Sequence, residues 1–287
     1  MEIIKKFFSK DRRAIKYIQK MHDAFCVETA YVNFSNKHII CFSSQVGCPV
    51  GCRFCVTGIR SAGRRFRRSL SAKELVEQCE NIVTDRKLLL AKKPILFSCM
   101  GEGEPLLNYK NVVAALKKLA KDHPRVRLAL STSGIVPRAI RALAHEQFTV
   151  PFKLQISLHA PDDRLRRAIM PRSAPIKDVV AAAKYYKKIS DRSVEWNYVL
   201  LAGVNDSQKC AQKLAALLGA GEHIKLNAFN GYSDAAFSGS RMAKISAFMR
   251  TVKNSGCSVE YYRTNGTDIA AACGQLKYGV AKKKKGR

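Results

Sequence analysis

Between His38 and Arg263 the sequence alternates short apolar runs with longer amphipathic ones, and this alternation restricts the fold more than any other feature. Strand-like runs are His38–Ser43, Pro94–Cys99, Arg127–Ser131, Lys153–Leu158, Glu195–Leu200, Lys225–Phe229 and Ser258–Arg263. Helical periodicity fills the intervals over Lys110–Lys121, Pro137–His145, Ile176–Lys188, Ser207–Leu218 and Arg241–Ser255. Ser71 and Glu74 stand as a capping pair before one more helix reaching about residue 86. Repeated βα units imply a parallel sheet with right-handed crossovers. Six units from His38 onward predict an α/β fold, a partial (β/α)6 TIM-like barrel. A 287-residue chain that is 47% hydrophobic is long enough for one such domain. No linker is evident. The expected division is therefore an extension over 1–33, a core over 34–280 and a basic tail over 281–287. Within the extension, basic pairs among Ile3, Ile4, Phe7, Phe8, Ile15 and Ile18 predict an amphipathic helix over 1–24, followed by a strand over Val27–Phe34.

Barrels of this class place their chemistry at the carboxyl ends of the strands. The first such end carries Cys48-Pro-Val-Gly-Cys52-Arg-Phe-Cys55. Clustered thiols at this spacing are a metal-binding pattern. A closed zinc site takes four ligands. Three cysteines on a four-iron, four-sulfur cluster leave one iron open to a small chelating molecule. The spacing alone admits the cluster, a zinc site completed by a distant cysteine, or a set of reduced buried thiols. Ten cysteines without a secretory signal favour a reducing compartment, hence the cytoplasm. No apolar run approaches the length of a membrane span.

Lys plus Arg number 51 against 22 Asp plus Glu, a net charge of +29. Such an excess suits a polyanionic partner, because neutralised phosphates release counterions. Nucleic acid leads, an acidic membrane surface follows, and a generally basic proteome is the bland alternative. The segment 1–24, the Arg60–Arg68 patch and the Lys282–Lys285 run are the candidate contacts.

Further stretches sharpen the reading. They are Cys41-Phe-Ser-Ser-Gln-Val-Gly-Cys48, Met100-Gly-Glu-Gly-Glu104-Pro-Leu-Leu-Asn108, Ser131-Thr-Ser-Gly-Ile-Val-Pro137, Ser157-Leu-His-Ala-Pro161 and Asp268-Ile-Ala-Ala-Ala-Cys273-Gly-Gln-Leu276. With the cysteine loop, and in this order, they resemble the radical S-adenosylmethionine (SAM) RNA (adenosine) methyltransferases of the RlmN/Cfr family. The resemblance implies a barrel of the radical SAM type. It implies one [4Fe-4S] cluster held by Cys48, Cys52 and Cys55 and completed by SAM. It implies methylation of an adenosine carbon in RNA, C2 ahead of C8, with two SAM per turnover. The RNA expected is 23S rRNA first and tRNA second, and the reductant an electron donor such as flavodoxin.

By the same resemblance Cys273 is methylated to S-methylcysteine and Cys41 resolves the protein–RNA adduct through a transient disulfide. Glu28, thirteen residues before Cys41, matches the family's proton acceptor. Gly103, Glu104, Ser131, Ser157, Leu158, His159 and Asn230 match its SAM contacts. Taken singly, Cys41 and Cys273 read as small buried residues, Glu28 as a surface carboxylate and His159 as a structural histidine. Cys26, Cys79, Cys99, Cys210 and Cys257 are taken as packing residues.

The chain departs from the family pattern in three places. It reads as a short form without the N-terminal accessory domain, with the basic segments taking over its phosphate contacts. Glu102 adds a carboxylate beside the cofactor motif. Gly231 follows Asn230 where proline is expected. The competing functions are a radical SAM enzyme on another substrate and a cluster-bearing RNA-binding protein without methyltransferase activity.

Overall fold

The strands that carry the βα units stand side by side in the order in which the chain makes them. The computed structural model describes residues 1–61, 66–90, 92–232, 235–263 and 265–276. Three strands lead in: β1 (Glu2–Phe8), β2 (Ala14–Lys20) and β3 (Cys26–Asn33). The barrel strands follow as β4 (His38–Phe42), β7 (Ile95–Cys99), β8 (Arg127–Thr132), β9 (Phe152–Ser157), β10 (Val194–Leu200), β11 (His223–Ala228) and β12 (Ser258–Tyr262). A two-stranded ribbon, β5 (Gln45–Val46) with β6 (Arg68–Ser69), lies above β4. Among the described residues the main sheet has ten strands, in the order β1-β2-β3-β4-β7-β8-β9-β10-β11-β12. From β4 to β12 every pairing is parallel, and from β1 to β4 every pairing is antiparallel.

A short helix, α1 (Val56–Ser61), follows the cysteine loop. Longer ones cover the outside: α2 (Ala72–Asp85), α3 (Tyr109–Asp122), α4 (Pro137–Leu143), α5 (Asp163–Ile169), α6 (Ile176–Ser190), α7 (Gln208–Leu218) and α8 (Met242–Asn254). The Ser71–Glu74 pair forms the expected capping box: Glu74 N donates to Ser71 Oγ and Ser71 N donates to Glu74 Oε2 at 2.8 Å. On α3 the buried stripe is Val112, Val113, Ala115, Leu116, Leu119 and Ala120, packed into the same core as the strand residues Phe97, Leu128 and Leu130. The lower barrel interior is polar. Glu195 there accepts from Gln155, Lys153 lies 3.1 Å from it, and Lys225 lies 3.4 Å from it. These ion pairs tie together β9, β10 and β11 near their amino-terminal ends. Among the described residues no helix is long and apolar enough to cross a membrane.

The expected amphipathic helix over 1–24 does not form; the segment is the β1–β2 hairpin, registered from Glu2 opposite Lys20 to Phe8 opposite Ile15. Its β-branched and aromatic residues favour extended chain. The Lys10–Arg13 stretch is a turn in which Asp11 accepts from Ser9 Oγ and from Arg13 N, and Arg12 takes a left-handed φ of 58°. A neighbouring strand is also available, because β2 pairs with β3 along its whole length, from Ala14–Val32 to Lys20–Cys26. The ladder therefore continues into the extension, and the expected boundary at residue 33 falls in the β3–β4 turn. Much of the Arg60–Arg68 patch and all of the 281–287 tail lie outside the described residues.

Candidate active site

The cysteine loop leaves β4 through β5 and ends in α1. Gly58 lets that short helix press onto the loop: a Cβ there would stand 2.5 Å from Cys52 O and 2.7 Å from Cys52 N. Cys52 and Phe54 pack against Ala160, Ile169, Met170, Val199 and Leu201. Arg53 N donates to Ile169 O at 2.9 Å, which fixes the loop over the far wall of the barrel. Cys48, Cys52 and Cys55 are half-buried. Burial pushes the Cys48 thiol up to about 12, and burial together with the other two sulfurs raises Cys52. These thiols stay protonated without a metal and become ligands only by losing their protons to one.

The Gly101–Glu104 turn follows β7 and meets the loop from below. Gly101 N donates to Phe42 O at 2.9 Å, and Glu102 O accepts from Ser44 N at 2.7 Å. Gly103 has φ of +100°, and a Cβ there would stand 2.6 Å from Ser44 Oγ, so both conformation and space require glycine. Glu104 is buried and accepts four hydrogen bonds: Thr132 Oγ1 at 2.6 Å, Leu106 N at 3.1 Å, Ser133 N at 2.7 Å and Ser133 Oγ at 2.6 Å. Those four donors fill a carboxylate's capacity. Burial nonetheless holds its carboxyl above the ordinary value. Glu102 is also buried, and burial and the nearby Glu28 charge raise it to about 8.

Ser131 and Ser157 stand half-buried on β8 and β9. Leu158 and His159 are buried behind them. His159 has φ of 59°, accepts from Val199 N at its Nδ1 (3.0 Å), and sets its ring edge-on to Phe54 with centroids 5.0 Å apart. Burial and the Arg166 charge lower its pKa to about 3, so the ring is neutral and its partnered nitrogen is an acceptor. Arg166 is a residue that sequence reasoning does not single out. It is fully buried on α5, donates to Leu158 O at 3.1 Å, Ala174 O at 2.6 Å and Ser133 O, and so clamps the ends of β8 and β9 together. In the sequence it is one of three arginines, with Arg164 and Arg167, in a run that reads as solvated helix.

The last described segment, 265–276, runs from beside β2 to α1 across the mouth. Lys10 N donates to Asp268 Oδ2 at 2.8 Å at one end, and Val56 N donates to Gly274 O at 2.8 Å at the other. Asn230 Nδ2 donates to Cys273 O at 3.1 Å, and Gln275 Nε2 to Gly231 O at 2.6 Å. Cys273 is exposed with its Sγ 3.7 Å from Met100 Sδ. Cys41, on β4, is pushed up to about 12 by burial and by the charge of the Cys273 sulfur. Among the described residues no two cysteines form a disulfide. Cys26, Cys79, Cys99 and Cys257 are buried, as packing residues should be. Glu28 is fully buried on β3, and Lys16 Nζ of β2 stands 3.1 Å from its Oε1. The surface-carboxylate alternative for Glu28 is thereby removed.

The comparisons agree with this arrangement. Residues 42–210 match the family model of the radical SAM superfamily. A probable dual-specificity RNA methyltransferase RlmN from Thermus thermophilus is 37% identical over 286 residues, 97% of this chain and 78% of that protein. The chain belongs to the RlmN family of radical SAM RNA methyltransferases. The RlmN of Syntrophobacter fumaroxidans is 34% identical over 97% of this chain and 81% of its own length. Among solved structures, a radical SAM methyltransferase from Sphaerobacter thermophilus superposes with a TM-score of 0.89 at 33% identity, covering 96% of this chain and 81% of that one. Membership of the RlmN family implies a [4Fe-4S] cluster, SAM and an RNA substrate for this enzyme.

Proposed function

We propose that this enzyme methylates C2 of an adenosine in RNA, with 23S rRNA as the first substrate and tRNA as the second. The reaction runs through S-methylcysteine at Cys273. The observation that carries the reading is the placement of two thiols from distant parts of the chain: Cys41 on β4, and Cys273 on the closing segment with its Sγ 3.7 Å from Met100 Sδ, just after β7, the strand paired with β4. A structural cysteine pair has no need to face an open mouth.

Cys48, Cys52 and Cys55 would hold the cluster. The donor set fits: the Cys48 and Cys55 sulfurs both act electrostatically on Cys52, beneath an apolar cover, so three soft ligands converge on one loop. When bound, the cluster and SAM supply radical chemistry under reduction by a donor of the flavodoxin class.

The chain's own residues have separable tasks. Gly103 brings backbone close to the methionyl group of SAM. Ser131 and Ser157 offer hydroxyls at the strand ends. Glu104, already saturated with donors, holds the end of β8 in place and would accept a methionyl ammonium only by sharing Ser133's position. Leu158 and neutral His159 shape the apolar wall, and Asn230 orients the Cys273 backbone. Glu28 accepts the proton that the adduct must lose. Cys41, whose thiol at about 12 must first lose its proton to an acceptor, then attacks the Cys273 sulfur: the S–S bond forms, the bond from that sulfur to the RNA-linked carbon breaks, and the carbon keeps the electron pair and takes up a proton to become the methyl group.

The test is nucleoside mass spectrometry of rRNA and tRNA from cells with and without the enzyme. A 2-methyladenosine that disappears with the gene supports the reading; 8-methyladenosine, or no change in either RNA, rejects it.

A further inference from the structure

Lys16 is a lysine with no exposure, at the centre of the hairpin that stands where a helix was expected. A buried ammonium is held only where charge and hydrogen-bond partners compensate it. Its Nζ stands 3.1 Å from Glu28 Oε1 and donates to Ala270 O at 3.3 Å, while the Phe7 ring covers it at 5.1 Å. One ammonium therefore touches two parts of the site that lie far apart in the chain. Glu28 belongs to β3, and Ala270 lies three residues before Cys273.

The sheet register explains the placement. Lys16 pairs with Ala30 across β2–β3, and Ala30 pairs with Cys41 across β3–β4. Glu28, two residues from Ala30, points to the same face as Lys16 and Cys41. The carboxylate, the resolving thiol and the ammonium thus share one side of the sheet, and the 265–276 segment closes over it.

We propose that Lys16 is a positioning residue that bridges the Glu28 carboxylate to the segment carrying Cys273, so that the proton acceptor and the methyl-bearing sulfur are held in one frame. The proposal rests on the reading of Glu28 and Cys273 given above. The bridge does two things. It places a cation against the Glu28 carboxylate in a dry site, where the Glu28 charge also acts on the Glu102 carboxyl of the turn after β7. It also fixes the carbonyl of Ala270, and with it the approach of the closing segment. Among the groups that face Glu28 are Lys16 from β2, Glu102 from the β7 turn and, on its own sheet face, Cys41 of β4.

Lys16→Met removes the charge and both contacts. Loss of a close opposite charge raises a carboxyl by about 1–3 pH units. Lys16→Met should still methylate Cys273 and form the adduct with RNA. It should then release the adduct at least about tenfold more slowly at neutral pH, a scale that misplacement of a catalytic group readily reaches. The acid limb of release should move to higher pH. Lys16→Arg keeps the charge and should restore the limb. Wild-type release rate and pH profile in Lys16→Met, or Lys16→Arg as defective as Lys16→Met, overturns the proposal.

A second readout needs no RNA and guards against misfolding. The double variant Lys16→Met/Glu28→Gln leaves neither charge of the pair behind and is compared with Glu28→Gln alone by amide hydrogen exchange over residues 268–274. Loss of the bond to Ala270 should speed exchange there by about tenfold. Unchanged exchange rejects the bridge. A Cys41→Ala enzyme that forms no adduct with any RNA sinks the proposed function instead, and leaves the exchange comparison to decide on Lys16.

Discussion

Arg166→Met gives the sharpest test of how the site is built. The guanidinium is fully buried and donates to Leu158 O, Ala174 O and Ser133 O. Two effects oppose each other. Burial lowers the Arg166 pKa to about 10, which sets about 3 kcal/mol against the cation in this site. Methionine relieves that cost. It also leaves the carbonyls of Leu158 and Ser133 at the strand ends, and that of Ala174 before α6, without this donor, at about 1–3 kcal/mol each. The carbonyl loss is the larger quantity, and a net destabilisation of about 2–4 kcal/mol follows. Urea unfolding of the purified protein measures it, as a lower midpoint with unchanged slope. SAM affinity should fall as well, because Ser157 and Ser133 sit on the two ends that the arginine clamps. Arg166→Met with stability within about 0.5 kcal/mol of wild type, the range of an ordinary surface change, would refute the clamp.

Two further outcomes follow from the geometry. Glu102 is buried with its pKa raised from 4.5 to about 8, so the folded protein binds a proton there that the unfolded chain has lost. Its contribution is fully present below pH about 4.5 and is lost as pH rises to about 8. Stability should therefore drop across that window by a few kcal/mol at most, and Glu102→Gln should flatten the drop in urea midpoints; parallel profiles for the two proteins would contradict this. Gly58→Ala places a methyl 2.5 Å from Cys52 O, which forces α1 off the cysteine loop. Iron content after anaerobic reconstitution should fall well below wild type while the far-ultraviolet spectrum is retained, and full loading would show that the loop is not held by that contact.

The parallel barrel is legible in the sequence because each of its strands is a short apolar run bounded by turn residues, and each crossover carries its own amphipathic period. Ser71 and Glu74 announce the start of α2, since a cap is a local device. The cysteine loop is legible from spacing alone as a metal motif. Cys41 and Cys273 are not, because their meeting depends on a segment that crosses the mouth after β12; only the family resemblance joins them. The hairpin over 1–24 is hidden for a related reason. Its charges at Lys5, Lys6, Arg12 and Arg13 mimic a helix face, and nothing local says that β3 will offer Lys16 an internal partner at Glu28. Arg166 and Asn230 show the same limit. The acceptors that fix their roles, Ser133 O for one and Cys273 O for the other, lie 33 and 43 residues away. Glu104 reads in the sequence as a ligand contact, and its four protein donors become visible only once β8 stands beside it.

The central claim is that Cys273 carries the methyl group to RNA and that Cys41 releases it. The most direct measurement uses Cys41→Ala, incubated anaerobically with SAM, a reductant and 23S rRNA fragments. Denaturing electrophoresis followed by mass spectrometry of the trapped species then reads the result. The account predicts a covalent protein–RNA adduct linked through the Cys273 sulfur and one added carbon. Free RNA with Cys273 unmodified, or methylated RNA released at the wild-type rate, would contradict it.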